Sequence, residues 1–263
     1  MIDERNEAEL SIQYQKAALS NAEIAYVDLP ADDSSKTILL IHGFASNALV
    51  NWIGTGWAKT LNDAGYRVVA LDNRGHGHSS KFYKPSDYGP DIFAADALEL
   101  LDHLNIQTCD VMGYSMGARI TCYLSHVAPQ RVKRAVYGGM GAHIFGGRGG
   151  YEAIAHALET DDLGAISEPG ALAFRKFADA TKSDRLALAA CIRPSNQQIT
   201  PDIVRTIETP TLIAVGSEDE VGGSPDDLAA MMPNATAFTI EGLDHMKATG
   251  ADSYKAAVLD FLT

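Results

Sequence analysis

The sequence predicts an α/β protein in which helices pack on both faces of a mostly parallel sheet. Short apolar segments typical of buried strands alternate with amphipathic helical segments along most of the chain, as parallel sheets require. The alternation stops once and then resumes, which indicates one domain with an insertion. The chain has 263 residues, 46% of them apolar and 21% charged, and is long enough to bury a full core.

Hydrophobic period and the positions of glycine and proline define the elements before the insertion. The first two predicted strands are close enough in sequence to pair as a hairpin. Gly65 ends a predicted helix, Pro90 opens the next, and Pro129 follows the third. The predicted strands are 12–18, 23–29, 37–41, 67–71, 109–114 and 132–137, and the predicted helices are 57–64, 92–104 and 116–127.

The regular alternation stops between residues 141 and 208. The glycine-rich stretch GGRGG is followed by several helical segments with no convincing strand between them. We interpret residues 141–208 as a helical cap inserted into a core that comprises residues 1–140 and 209–263. Beyond Pro210 the predicted strands are 211–215 and 236–240, and the predicted helices are 226–232 and 252–261.

Composition and charge disfavour several classes of function. The net charge of −13 disfavours binding to nucleic acid or to an anionic membrane, and it favours a neutral small molecule over a polyanion. The three cysteines are too scattered for a disulfide framework or a zinc site. The N-terminus lacks the basic start and apolar run of a secretory signal, so we expect a cytoplasmic protein. The oligomeric state is not predicted.

Residues 113–117, GYSMG, match the pattern Gly-x-Ser-x-Gly of a nucleophile elbow. A chain of this composition is expected to contain the pattern by chance about 0.1 times. Here it lies where a predicted strand meets a predicted helix, which is the setting that the chemistry needs. Ser115 is therefore the predicted nucleophile.

A serine hydroxyl needs a histidine to accept its proton and an acid to orient that histidine. Asp219 and His245 each follow a predicted strand, and they occur after Ser115 in the order Ser, Asp, His. Glu218, Glu220 and Asp244 are alternatives for the acid. The other seven histidines are poorer candidates: His42, His76 and His78 lie in turns before the serine, His103 and His126 on helices, and His143 and His156 in the predicted cap.

These motifs resemble those of the α/β-hydrolase superfamily over nearly the whole chain. Besides GYSMG they are IHGF at 41–44, LDNRGHGHS at 71–79, GSED at 216–219 and LDHM at 243–246. The resemblance implies an eight-stranded, mostly parallel sheet with a helical cap inserted between the later strands. It also implies that the backbone N–H groups of Phe44 and Met116 form an oxyanion hole.

The expected activity is hydrolysis of a small carboxylic ester, thioester or lactone through an acyl-enzyme on Ser115, without a metal or organic cofactor. The alternatives are a carbon–carbon bond hydrolase of a ring-cleavage product, a perhydrolase-like enzyme and a non-catalytic binding protein. The sequence GFASN at 43–47 differs from the HGxGPG of many carbon–carbon hydrolases, which disfavours the first. The complete set of Ser, Asp and His disfavours the last.

Three further residues have candidate roles. We expect Arg74 to shape the turn in which it lies. Trp52 is expected to be a buried structural residue, with a place in the acyl pocket as the alternative. His156 is a candidate pocket residue.

Overall fold

Eight strands form the centre of the computed structural model, which describes residues 12–31, 36–146, 149–196 and 199–263. They are β1 (Gln15–Ala18), β2 (Glu23–Leu29), β3 (Thr37–Ile41), β4 (Arg67–Leu71), β5 (Cys109–Tyr114), β6 (Val132–Gly138), β7 (Thr211–Gly216) and β8 (Ala235–Ile240). Their order in the sheet is β1-β2-β4-β3-β5-β6-β7-β8. β2 pairs antiparallel with β1 and β4, and the other neighbouring strands are parallel.

The described residues form nine α-helices, which mostly connect successive parallel strands. They are α1 (Trp57–Asp63), α2 (Pro90–His103), α3 (Met116–Val127), α4 (Tyr151–Glu159), α5 (Pro169–Ala180), α6 (Arg185–Ile192), α7 (Pro201–Arg205), α8 (Pro225–Ala229) and α9 (Asp252–Phe261). Pro90 occupies the first position of α2, where its missing N–H costs no helical hydrogen bond. No helix in the described ranges has the length and apolarity needed to span a membrane.

The side chains of the central strands alternate between two buried hydrophobic clusters. All five residues of β3 are buried because helices cover both faces of the sheet. Leu39 and Ile41 pack in the cluster that includes α2 and α3. Ile38 and Leu40 pack on the opposite face, in the cluster that includes α1 and α9.

The predicted fold class is confirmed, with small differences at the ends of elements. The opening strand begins at Gln15 and not at residue 12, and the helix predicted over 226–232 covers Pro225–Ala229. Ser224 caps that helix by accepting a hydrogen bond from the N–H of Asp227, at 3.1 Å.

Between β6 and β7, the described residues form helices and no strand. Four α-helices, α4 to α7, lie in this segment, as the interrupted pattern predicts. Their buried side chains, such as Leu158 and Leu188, belong to the same cluster as those of α2 and α3. The segment thus packs against one face of the core. Its division from the core at residues 141 and 208 stays a prediction.

Candidate active site

Ser115 lies in the sharp turn between β5 and α3. Its φ of 55° and ψ of −111° place it in a region that residues with a side chain rarely adopt. The turn also brings backbones together: a Cβ on Gly113 would lie 2.1 Å from the carbonyl oxygen of Gly117, and one on Gly117 would lie 1.9 Å from that of Ile41. Both glycines are required because no larger residue leaves room for this packing.

His245 links Ser115 to Asp219. Its Nε2 lies 3.0 Å from Ser115 Oγ, and its Nδ1 lies 2.7 Å from Asp219 Oδ2. The hydroxyl of Tyr114 donates to the carbonyl oxygen of His245 at 2.6 Å and holds the loop that follows β8. Residues 130 positions apart in the sequence therefore form one hydrogen-bonded network.

Asp219 is the acid that the structure brings to the histidine. Its Oδ1 accepts hydrogen bonds from the N–H groups of Val221 and Gly222, at 2.8 and 2.9 Å, and its side chain is 0% exposed. The carboxylate is therefore held in a fixed orientation. The alternative acids lie elsewhere: Glu218 and Glu220 are exposed, and Asp244 accepts from the N–H groups of Met246 and Lys247.

Phe44 and Met116, the residues predicted to form the oxyanion hole, line a cavity together with Ser115. A Cβ placed on Gly43 would lie 3.5 Å from Ser115 Cβ, so the turn after β3 closely approaches Ser115. The N–H of Gly43 donates to Asn51 Oδ1 at 3.0 Å, which fixes this turn. We find no acceptor for the N–H groups of Phe44 and Met116 among the described residues.

Two cavities meet at Ser115. The larger has a volume of about 890 Å³ and extends among α3, α4, α5 and α6, and the smaller has a volume of about 550 Å³. His245 lines the smaller cavity, whereas Met116 and Arg119 line the larger. The residues shared by both cavities are Phe44, Ser115, Gly170, Phe174 and Val221.

Three other residues singled out in the sequence lie outside both cavities. Trp52 is fully buried in the cluster that includes α1, which agrees with a structural role. His156 is exposed on α4, so its interpretation as a pocket residue is wrong. Arg74 forms two hydrogen bonds of 2.6 Å with Asp96 and one of 3.1 Å with the carbonyl oxygen of Asp87, which joins its turn to α2 and the preceding 3-10 helix.

Sequence reasoning missed two cavity residues. Arg119 lies four positions after Ser115 on α3, and helical spacing could have placed it beside Ser115. Phe174 of α5 packs against the ring of Phe44, with ring centroids 5.7 Å apart. No motif marks Phe174, because its position depends on how the helices between β6 and β7 fold back over the sheet.

Two buried histidines support the turn that contains Phe44. His42 Nδ1 donates to the carbonyl oxygen of Gly43 at 2.7 Å, and its Nε2 accepts the N–H of Asn73 at 2.9 Å. The ring of His76 packs edge-on against that of Phe44. Burial lowers the pKa of His42 well below its usual value of 6.5 and lowers the pKa of His76 to about 4.

We expect acid to destabilise the fold through His76. As the pH falls from 6.5 towards 4, the unfolded state gains a proton on this residue and the native state does not. At about 1.4 kcal/mol per pH unit, the free energy of unfolding should be about 2 kcal/mol lower at pH 5 than at pH 7.5 because of this residue. Urea unfolding at the two pH values measures the difference.

His76→Gln removes the titrating ring and should reduce that pH-dependent loss by about 2 kcal/mol. The matched control is His103→Gln, which removes an exposed imidazole of α2 and tests whether the loss of any histidine changes the pH dependence as much. An unaltered pH dependence in His76→Gln would contradict the role given to His76.

Comparisons with known proteins agree with this fold. The family profile of the α/β-hydrolase fold matches residues 36–139. A hydrolase from Pseudomonas aeruginosa of known structure superposes with a TM-score of 0.78 and 26% identity, covering 95% of this chain and 98% of that one. The chain therefore has the α/β-hydrolase fold.

Curated relatives include haloperoxidases. A putative non-heme chloroperoxidase from Synechocystis is 41% identical over 118 residues, which are 43% of this chain and 39% of that protein. A non-heme haloperoxidase from Rhodococcus erythropolis is 26% identical and aligns over 93% of this chain and 97% of its own length. The chain is thus similar to a hydrolase of known structure and to haloperoxidases.

Proposed function

We propose that this protein is a serine hydrolase that cleaves a small carboxylic ester, thioester or lactone through an acyl-enzyme on Ser115. The main support is the hydrogen-bonded network of Ser115, His245 and Asp219 where two cavities meet. A histidine that contacts both a serine hydroxyl and a buried carboxylate can take the serine proton and become a stabilised imidazolium. We also propose a small-molecule substrate and a cytoplasmic location.

In the first half of the proposed reaction, Ser115 Oγ attacks the substrate carbonyl carbon as its proton passes to His245 Nε2. Asp219 holds the Nδ1–H of the ring and stabilises the positive charge. The N–H groups of Phe44 and Met116 donate to the negatively charged oxygen of the tetrahedral intermediate. His245 then gives the proton to the leaving oxygen or sulfur, and the acyl group remains on Ser115.

In the second half, water attacks the acyl-enzyme while His245 Nε2 accepts a proton from it. The second tetrahedral intermediate releases a carboxylic acid, and the proton returns from His245 to Ser115 Oγ. In this reaction, side chains and backbone N–H groups of the protein carry every proton and stabilise every charge that forms.

A fluorophosphonate probe tests the proposal, because it reacts with activated serines and requires no knowledge of the substrate. We expect the probe to label Ser115 and to inhibit hydrolysis of p-nitrophenyl acetate. Ser115→Ala should lose both labelling and hydrolysis. Ser46→Ala is a matched control, since Ser46 also lines the smaller cavity, and it should still be labelled. Labelling that persists in Ser115→Ala, or is absent from the wild type, would contradict the proposal.

Perhydrolysis is a second candidate, favoured by the haloperoxidases among the curated relatives. Acetic acid would acylate Ser115 with loss of water, and hydrogen peroxide would replace water in the second half, so that the acyl-enzyme releases peracetic acid and Ser115 regains its proton. The peracid would then oxidise bromide to hypobromite and return to acetic acid. Wild-type protein with acetate, peroxide and bromide should then brominate a phenolic dye, and Ser115→Ala should not. Equal bromination by the two proteins would exclude this candidate.

A further inference from the structure

We propose that the natural substrate is an ester of an uncharged, apolar alcohol and that the smaller cavity binds this alcohol group. The inference rests on the proposed acyl transfer at Ser115 and names the leaving group of that reaction. When Ser115 Oγ bonds to the acyl carbon, the bond between that carbon and the alcohol oxygen breaks, and the oxygen takes a proton from His245 Nε2. The product that leaves first is then a neutral alcohol.

The position of His245 indicates which cavity holds the leaving group. The alcohol oxygen must lie within reach of His245 Nε2 when it takes the proton. Of the two cavities that meet at Ser115, His245 lines the smaller and not the larger. The cavity of about 550 Å³ is therefore assigned to the alcohol, and the cavity of about 890 Å³ to the acyl group. Sites for small molecules typically have about 300–1,000 Å³, so the smaller cavity has room for a group much larger than methyl.

The lining of the smaller cavity offers no partner for a charged leaving group. No Asp, Glu, Lys or Arg is among the described residues that line it, whereas charged residues such as Glu220 do line the larger cavity. Two carboxylates of the neighbouring loops are paired, Asp219 with His245 and Asp244 with Lys247. A charge on the alcohol would leave water without gaining a partner, which is unfavourable.

One face of α5 forms a wall of this cavity. Gly170, Ala173, Phe174 and Phe177 line it, and their spacing places them on one side of the helix. The ring of Phe174 packs against that of Phe44, which also lines the cavity, with centroids 5.7 Å apart. Aromatic rings and small aliphatic residues stabilise an apolar group because both surfaces leave water on contact.

Apolar residues also surround the mouth of the smaller cavity. Val50, Val221 and Met246 line the cavity and are 37%, 42% and 56% exposed, so they lie at its opening. Ala173 of α5 is exposed as well. Exposed apolar residues that converge on a cavity are typical of a ligand-binding site. An alcohol that is apolar along its whole length, up to the point where it reaches water, fits this arrangement.

Two acetates that differ in one charge provide the test. Acetylcholine and neohexyl acetate have alcohol groups of nearly the same shape, but only choline carries a positive charge. For each ester, kcat/KM is measured by proton release and divided by the rate constant for hydrolysis by hydroxide, which corrects for the better leaving group of choline. The wild-type protein should prefer the neutral ester at least about tenfold, because no anion in the cavity compensates the removal of the ammonium from water.

A series of unbranched alcohols tests the apolar character of the site. From ethyl to hexyl acetate, kcat/KM should rise about fourfold for each added CH₂ until the cavity is filled. A flat series would overturn the inference. An equal or greater corrected kcat/KM for acetylcholine would also overturn it, and would indicate that the aromatic rings bind a cation instead.

Ala173→Glu tests whether the alcohol binds in the smaller cavity. Ala173 lines this cavity and not the larger one, and its exposed position on α5 leaves room for a longer side chain. The new carboxylate should reduce the preference for the neutral ester about fivefold, the size expected for attraction between charges in contact with water. Ala173→Lys should increase the preference by a similar factor.

Ala180→Glu and Ala180→Lys are the matched controls, because Ala180 is an exposed residue of the same helix that lines neither cavity. They should change the preference less than about twofold. Equal shifts in the variants at Ala173 and at Ala180 would reject the assignment of the alcohol to the smaller cavity. If one variant at Ala173 does not fold, the other decides by the same comparison.

Fluorophosphonate labelling separates this inference from the proposed function. Labelled Ser115 together with a preference for the charged ester, or with no hydrolysis of any of these acetates, would reject the leaving-group assignment alone. An unlabelled Ser115 would reject both the proposed hydrolase and the leaving-group assignment that depends on it.

Discussion

Asp219→Asn is expected to lower kcat about 10⁴-fold while leaving the fold intact. The amide oxygen can still accept the N–H groups of Val221 and Gly222, which turns the amide NH₂ towards His245 Nδ1. The histidine must then accept at Nδ1 and place its proton on Nε2. In that tautomer the ring cannot take the proton of Ser115. Steady-state kinetics on p-nitrophenyl acetate measure the loss.

Asp244→Asn is the matched control for the choice of acid. Asp244 directly precedes His245 in sequence, yet its carboxylate accepts from the N–H groups of Met246 and Lys247 and pairs with Lys247. We expect Asp244→Asn to change kcat less than about tenfold. Asp244 can affect the His245 ring only by shifting the loop that carries both residues. A larger loss in Asp244→Asn than in Asp219→Asn would contradict the assignment.

Asp96→Ala is expected to lower the free energy of unfolding by about 3–5 kcal/mol. Asp96 accepts both hydrogen bonds from Arg74, and the two side chains are 8% and 5% exposed. Removal of the carboxylate leaves the guanidinium buried with its charge uncompensated. It also breaks the tie between α2 and the turn after β4. Urea unfolding at pH 7 measures the change.

Asp63→Ala provides the comparison at an exposed ion pair. Asp63 accepts from Lys59 at 2.6 Å on α1, but both side chains are largely in water. The expected loss is about 0.5 kcal/mol or less, because water and salt screen the pair. Similar losses in Asp63→Ala and Asp96→Ala would mean that burial does not set the energy of the Arg74 pair.

Local sequence patterns predicted most of the fold. The uninterrupted apolar run of β3 predicts a strand covered on both faces, and Pro90 opens α2. The start of β1 was predicted three residues too early, because residues 12–14 fit a strand pattern although the pairing with β2 begins at Gln15. Alternation alone does not specify where the pairing with β2 stops.

The sequence by itself determined the class of fold and singled out Ser115 and His245. A serine flanked by glycines and the order of the motifs along the chain are both visible without a structure. The sequence favoured Asp219 over Glu218, Glu220 and Asp244 as the acid, but only the tertiary structure shows its hydrogen bond to His245, because that contact depends on where two loops meet. The same reason applies to Arg119. Its spacing from Ser115 is local, but the cavity around it exists only because the helices between β6 and β7 pack over α3 and Phe44.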